Sequence, residues 1–209
     1  MHGLRRCRQG GGMQKESNII AETGVIHGRF QILHNDHLRY IREGKKRCRH
    51  LVVGITNPDP ISTKRETVDV KRDDPLENPL TYYERYVIMK AVLADGGMSV
   101  DDFSITPFPI SFPDRYSYYV PMDALFFLTI YDDWGRKKLS YFRSLDLKTH
   151  ILREVDESEK GISATTVRRL MVHGAPWEHL VPPAVARYLK LWEVPSRLKG
   201  IAYRLGREG

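Results

Sequence analysis

Apolar and polar positions follow two rhythms along this chain. Short, nearly continuous apolar runs recur over residues 20–27, 50–56, 103–106, 125–130 and 150–155. Runs of roughly four to eight residues bounded by turn signals suit strands covered on both faces, as in a parallel sheet. Between them lie segments whose apolar residues fall three and four apart, the helical spacing. One, from Asn35 to Arg47, gathers Leu38, Tyr40, Ile41 and Gly44 on a single face. A second, over 81–95, turns Tyr83, Val87, Ile88, Ala91 and Val92 inward. It opens on Thr81 with Glu84 three positions on, a capping box, and Gly96-Gly97 closes it. Shorter helices are predicted over 137–143, after a cap at Ser163 or Thr165, and over 183–192.

Strands alternating with helices predict an α/β chain with an open, doubly wound parallel sheet of five strands and a small C-terminal helical region. Pro107 and Pro109 should stop the third strand. Residues 58–80, with Pro58, Pro60, Pro75 and Pro79, read as a lid or binding loop. The Gly10-Gly11-Gly12 run and the lack of periodicity mark 1–18 as a flexible basic tail. The folded domain then covers 19–194, and 195–209 is a basic C-terminal extension.

Composition narrows the function classes. The chain carries a net charge of +7, and Arg5, Arg6, Arg8 and Lys15 place part of that excess in the tail. A basic balance suits polyanionic ligands. No stripe of Arg and Lys interleaved with aromatics runs along one element, so a nucleotide ranks above nucleic acid. No apolar run approaches the roughly eighteen residues of a membrane span, and the N-terminus lacks the apolar core of a secretory signal. Cys7 in the tail and Cys48 in the first helix are poorly placed for a structural disulfide, which implies a reducing, cytoplasmic setting.

Two segments carry chemistry. The first runs Val25-Ile26-His27-Gly28-Arg29-Phe30-Gln31-Ile32-Leu33-His34-Asn35-Asp36-His37. A strand, a glycine turn and a helix start bring free backbone N–H groups together at an anion-favouring dipole. His34 and His37, three apart, add two imidazole donors on one face. A solvated helix start is the plainer reading, and half a zinc site a third, although no cluster nearby supplies further ligands. The second segment is Ile162-Ser163-Ala164-Thr165-Thr166-Val167-Arg168. Hydroxyls, open amides and a guanidinium at one helix start form an anion site, or else an ordinary cap beside a solvated arginine. His173 and His179 read as packing or surface residues.

Taken together, Gly28-Arg29-Phe30-Gln31 with His34 and His37, followed late in the chain by Ile162–Arg168, resemble the nucleotidyltransferase superfamily with its HxGH and ISxTxxR signatures. Within it the chain most resembles the archaeal-type nicotinamide-nucleotide adenylyltransferases. Glu77-Asn78-Pro79-Leu80-Thr81 with Glu84-Arg85, and Trp177 to Pro182, extend the likeness over most of the chain. The resemblance implies the Rossmann-like fold of that superfamily. It also implies transfer of AMP from ATP, with Mg²⁺, to nicotinamide or nicotinate mononucleotide, for NAD biosynthesis. By the same resemblance His34, His37 and Arg168 are catalytic. Gly28, Arg29, Phe30, Ser163 and Thr165 bind ATP, while Asn57, Thr81, Arg85, Tyr131 and Asp132 face the acceptor. No protein-bound metal site is implied, and a homo-oligomer is.

Three departures bear on that picture. Ile32 and Asp36 stand where the first motif has proline and glycine, and Asp36 should point outward. Residues 58–76 read as an insertion. The tryptophan that stacks on nicotinamide in the family has no clear counterpart, and Tyr116, Tyr118 or Tyr119 is the expected substitute. A relative that transfers AMP or CMP to another phosphorylated acceptor is the alternative. A non-catalytic nucleotide sensor is another.

Overall fold

A computed structural model describes residues 19–59, 74–156 and 161–207. The 1–18 tail with Cys7, most of the proline-rich excursion and most of the acidic loop 156–161 lie outside the described residues.

The strands are β1 (Ala21–Gly28), β2 (Cys48–Thr56), β3 (Phe103–Phe108), β4 (Leu125–Ile130) and β5 (Thr149–Glu154). They form one parallel sheet in the order β3-β2-β1-β4-β5. The α-helices among the described residues are α1 (Asn35–Lys45), α2 (Tyr82–Asp95), α3 (Asp133–Ser144), α4 (Ala164–Val172), α5 (Pro183–Leu191) and α6 (Val194–Arg204), with three short 3-10 helices between the larger elements. The chain winds outward from β1 one way, then returns to wind the other way from β4. This is the doubly wound α/β fold.

Side chains one residue apart in a strand face opposite layers, and the core divides accordingly. Ile26, Leu51, Val53 and Phe127 enter one apolar cluster, which α1, α2, α4, α5 and α6 cover. Val25, Val52, Phe126 and Leu128 enter the other, with Phe108, Tyr116 and Phe142. Near-continuous apolar runs are what two covered faces require. Helix α1 lies close on the sheet because Gly44 has no side chain; a Cβ there would come 2.9 Å from Ile26.

Several elements depart from the sequence reading. Strand β3 continues through Pro107, whose partner is Ile55. It is an edge strand, and an edge can present the missing N–H outward. The inward face of α2 is Arg85, Ile88, Met89, Val92 and Leu93, whereas Tyr83 is 70% exposed. Helix α3 starts at Asp133, with the Asp132 carboxylate accepting the N–H of Gly135 at 2.9 Å. Most of the stretch read as a basic extension folds as α6. Its Val194, Leu198 and Ala202, four apart, are buried. Arg197 of α6 clasps Glu84 with contacts of 3.0 and 2.7 Å. Glu84 also completes the α2 capping box with Thr81.

Candidate active site

Strand order reverses between β1 and β4, and a cavity of 370 Å³ opens at their carboxyl ends. Such crevices are where doubly wound sheets bind ligands. Gly28, Arg29, Phe30, His34, His37, Ser163, Thr165 and Arg168 all line it. The two segments singled out in the sequence, more than a hundred residues apart, therefore share one cavity.

The entrance to α1 is held from below. Phe30 adopts a left-handed φ of 51° while only 2% exposed, a conformation costly for an aromatic residue. Gln31, next along, fixes the turn by exchanging two hydrogen bonds with the backbone of Leu80, at 2.7 and 2.9 Å. His34 caps α1, and its ring stacks on His37 with centroids 3.7 Å apart. The backbone N–H of His34 points at Nδ1 of His37 across 3.4 Å, and the backbone of Ile32 also bonds to the His37 ring. Burial pulls the His34 pKa down to about 4 and holds His37 well below its ordinary value, with mutual repulsion adding to the second. At neutral pH both rings are uncharged N–H donors rather than cations.

Across the cavity, Ser163 caps α4 by accepting the N–H of Thr166 at 3.1 Å. Arg168 leans back along the first turn to Thr165 Oγ1 at 3.0 Å. The same buried guanidinium donates to the carbonyl of Gln31 and pairs with Glu77. Burial lowers its pKa, and the Glu77 carboxylate opposes that shift.

Asp36 corrects an expectation. It does not point outward: its carboxylate accepts the N–H of Ile162 at 2.6 Å and pairs with Arg39 at 3.1 Å. It thereby ties the histidine helix to the segment that enters α4. Gly161 makes room for it, because a Cβ there would lie 2.2 Å from the carboxylate oxygen.

The residues expected on the acceptor side divide. Tyr131 and Asp132 line the main cavity, and Asn57 lines a smaller one beside it. Thr81 and Arg85 reach neither lining. Thr81 is occupied as a helix cap. Arg85 is buried, and its guanidinium donates to the carbonyls of Arg29, Thr56 and Asn57 at 2.9, 2.7 and 2.8 Å. It braces the carboxyl ends of β1 and β2. None of Tyr116, Tyr118 and Tyr119 enters the lining; Tyr116 is buried with its hydroxyl donating to the Ile110 carbonyl at 2.6 Å. The aromatic rings in the lining are instead Phe30, Tyr40, Tyr131 and Trp134, the last 48% exposed.

Two lining residues, His27 and Lys138, escaped the sequence reading. His27 is 6% exposed, and neither ring nitrogen has a hydrogen-bond partner among the described residues. Nη1 of Arg29 and Nδ1 of His34 are likewise buried and unpaired. Buried polar atoms without partners are rare in folded chains, and all of these belong to residues lining the one cavity. An ionisable residue ending an otherwise apolar strand, just before Gly28-Arg29, was the available signal for His27.

A crevice at the switch point, lined by paired histidines from one helix start and by Ser163, Thr165 and Arg168 from another, defines a nucleotidyltransferase. The chain belongs to the cytidylyltransferase-like family, whose model matches residues 25–170. It is 51% identical over 180 residues to a phosphonoformate cytidylyltransferase of Streptomyces viridochromogenes, covering 86% of this chain and 97% of that one. Against the nicotinamide-nucleotide adenylyltransferase of Thermococcus onnurineus identity is 28%, over 89% of this chain and 91% of the relative. Among solved structures, a bifunctional NMN adenylyltransferase/ADP-ribose pyrophosphatase from Francisella tularensis shares the fold. Its TM-score is 0.57 at 14% identity, covering 84% of this chain and about half (51%) of the solved one.

These relationships overturn the expectation of AMP transfer to a pyridine mononucleotide and of a place in NAD biosynthesis. The signatures behind that expectation belong to the phosphate-binding half, which the whole superfamily has in common. Across the full chain, the much higher identity lies with a cytidylyltransferase.

Proposed function

We propose that this protein transfers CMP from CTP to a small phosphonate, of which phosphonoformate is the type, and releases pyrophosphate. The observation that carries the reading is the 51% identity to a phosphonoformate cytidylyltransferase along nearly its whole length. The site supports it in two ways. The phosphate-binding set faces one cavity, and the neighbouring cavity by Asn57 is compact, at 190 Å³.

In this reading an acceptor phosphonate oxygen attacks the α-phosphorus of CTP. A new P–O bond forms while the bond to the bridging β-oxygen breaks, and pyrophosphate leaves with that electron pair. The protein contributes position and charge rather than a nucleophile. His34 and His37 offer N–H groups to the phosphates. Ser163, Thr165 and Arg168 hold the departing β- and γ-phosphates, where charge accumulates. Mg²⁺ supplies charge neutralisation when bound. The chain itself is poorly suited to hold it: of the carboxylates in the lining, Asp36 is bound to Ile162 and Arg39, Glu77 to Arg168, and Asp132 to the N–H of Gly135. The cation arrives with the triphosphate.

The test is phosphorus NMR of the protein with CTP, Mg²⁺ and phosphonoformate. A new phosphonate resonance coupled to the CMP phosphorus, with equimolar pyrophosphate, is the expected result. Binding of CTP with no pyrophosphate from any acceptor would make the protein a nucleotide sensor and end the proposal.

A further inference from the structure

The smaller cavity shares His27, Gly28, Arg29, Trp134 and Lys138 with the main one, so the two adjoin. It extends from there toward the end of β2, at Thr56 and Asn57. Its lining includes Lys138, Arg29 and His27, and no Asp or Glu among the described residues. At 190 Å³ it falls below the roughly 300 Å³ at which pockets for drug-sized ligands begin. A cationic pocket of that size suits a compact anion and leaves little room for a nucleoside.

Its donors are fixed and unspent. The His27 ring is packed between Phe142 and Phe108, with centroids 5.1 and 5.7 Å away, so its plane is set by the core. Both its nitrogens and Nη1 of Arg29 are buried with no partner. Leaving such groups dry costs stability unless a ligand completes their bonds. Lys138 comes from α3, on the far side of the opening. Lys138 is half-buried, and desolvation lowers its pKa to about 8, with Asp132 opposing the shift. Arg85 holds the backbone of Arg29 and Asn57 in place from below.

We propose that this side cavity binds the second acid group of the acceptor, the carboxylate of a compact phosphonocarboxylate, through Lys138, His27 and Arg29. The inference rests on the proposed CMP transfer and adds to it the part of the site that selects the acceptor. The phosphonate then lies at the shared wall, near Gly28 and Arg29, with an oxygen turned toward the nucleotide. Selectivity follows from the unpaired donors. An acceptor without the carboxylate leaves the His27 ring and Nη1 of Arg29 buried and unsatisfied, beside the half-buried Lys138, and such omissions are strongly penalised.

The test compares phosphonoformate with methylphosphonate, which lacks the carboxylate, by calorimetric binding and by CMP transfer. The variants are Lys138→Gln and His27→Phe, the second keeping the aromatic packing. Their CTP affinity and melting temperature report folding. The wild type should bind phosphonoformate roughly ten- to a hundredfold more tightly than methylphosphonate. Each variant should lose most of that preference, through KM for the acceptor more than through kcat, with CTP affinity kept. Active variants that retain the full preference overturn the side-cavity assignment and leave CMP transfer standing. Wild-type protein that binds phosphonoformate through Lys138 yet transfers nothing overturns the reaction and leaves the pocket. Wild-type protein that does not bind phosphonoformate overturns both.

Discussion

The two halves of the cavity are built in opposite ways. On the phosphate side most donors are already engaged with their neighbours. Arg168 is held by Gln31, Glu77 and Thr165, Ser163 by Thr166, and His37 by the backbone of His34. On the acceptor side His27 and Nη1 of Arg29 wait without partners. The first half is pre-organised by its own hydrogen bonds, and in the proposed reading it grips the triphosphate at little further ordering cost. The second is completed only by the correct ligand, the arrangement that favours discrimination. His34 Nδ1, also unpaired, stands on the phosphate side as a donor or acceptor still to be used.

The largest effect should follow from breaking the pre-organised half. Arg168→Ala removes an oriented charge donor and strands Glu77, so pyrophosphate release should fall by roughly a hundredfold or more. Arg168→Lys should not restore it, since one ammonium cannot serve three acceptors in the plane of a guanidinium. His37→Ala should cost a similar factor. Near-normal steady-state rates in these variants would show that the phosphates sit elsewhere.

A smaller effect lies in the pH dependence of stability. Burial lowers the pKa values of His27, His34 and His37 in the folded protein. Below the ordinary histidine pKa the unfolded chain takes up protons that the folded chain refuses. The contribution of these rings to stability is therefore flat above about pH 7 and falls as pH drops through 6 toward 4, by up to about 1.4 kcal/mol per pH unit for each ring. Urea unfolding of His34→Asn between pH 7 and 5 should show a shallower fall than the wild type. Equal slopes would mean that His34 is not held neutral.

The smallest effect sharpens the joint between α1 and α4. Gly161→Ala should destabilise by about 1–3 kcal/mol through its clash with the Asp36 carboxylate. Asp36→Gly alone should loosen the Ile162 tether. The double variant should recover part of the Gly161→Ala loss, a coupling on the order of 1 kcal/mol in a double-mutant cycle. Strict additivity would place the two residues out of contact.

The same contrast explains what was legible in the sequence. The phosphate half is local: a strand end, a glycine turn and a capped helix write themselves into a few consecutive residues, as at Gly28–His37 and Ile162–Arg168. Strand positions were legible because burial on both faces demands continuous apolar runs. The acceptor half is tertiary. His27 and Lys138 lie on different elements and meet only because α3, packed on β4 and β5, brings its side chains to the His27 ring, which no local spacing encodes. Asp36 looked like a surface acid until the fold brought Ile162 to it. Helix α6 was hidden because Pro195, Arg197, Lys199, Gly200 and Arg204 dilute the spacing of Val194, Leu198 and Ala202. The substrate reading failed for a related reason: it rested on motifs that report the phosphates, which relatives with different acceptors have in common.

The most direct test of the two-half account is a crystal structure of the protein with a non-hydrolysable CTP analogue and phosphonoformate. It should show the triphosphate against His34, Ser163 and Arg168, and the acceptor carboxylate within hydrogen-bond distance of Lys138 and His27. Density for the acceptor outside the side cavity, or for the triphosphate within it, would contradict the account.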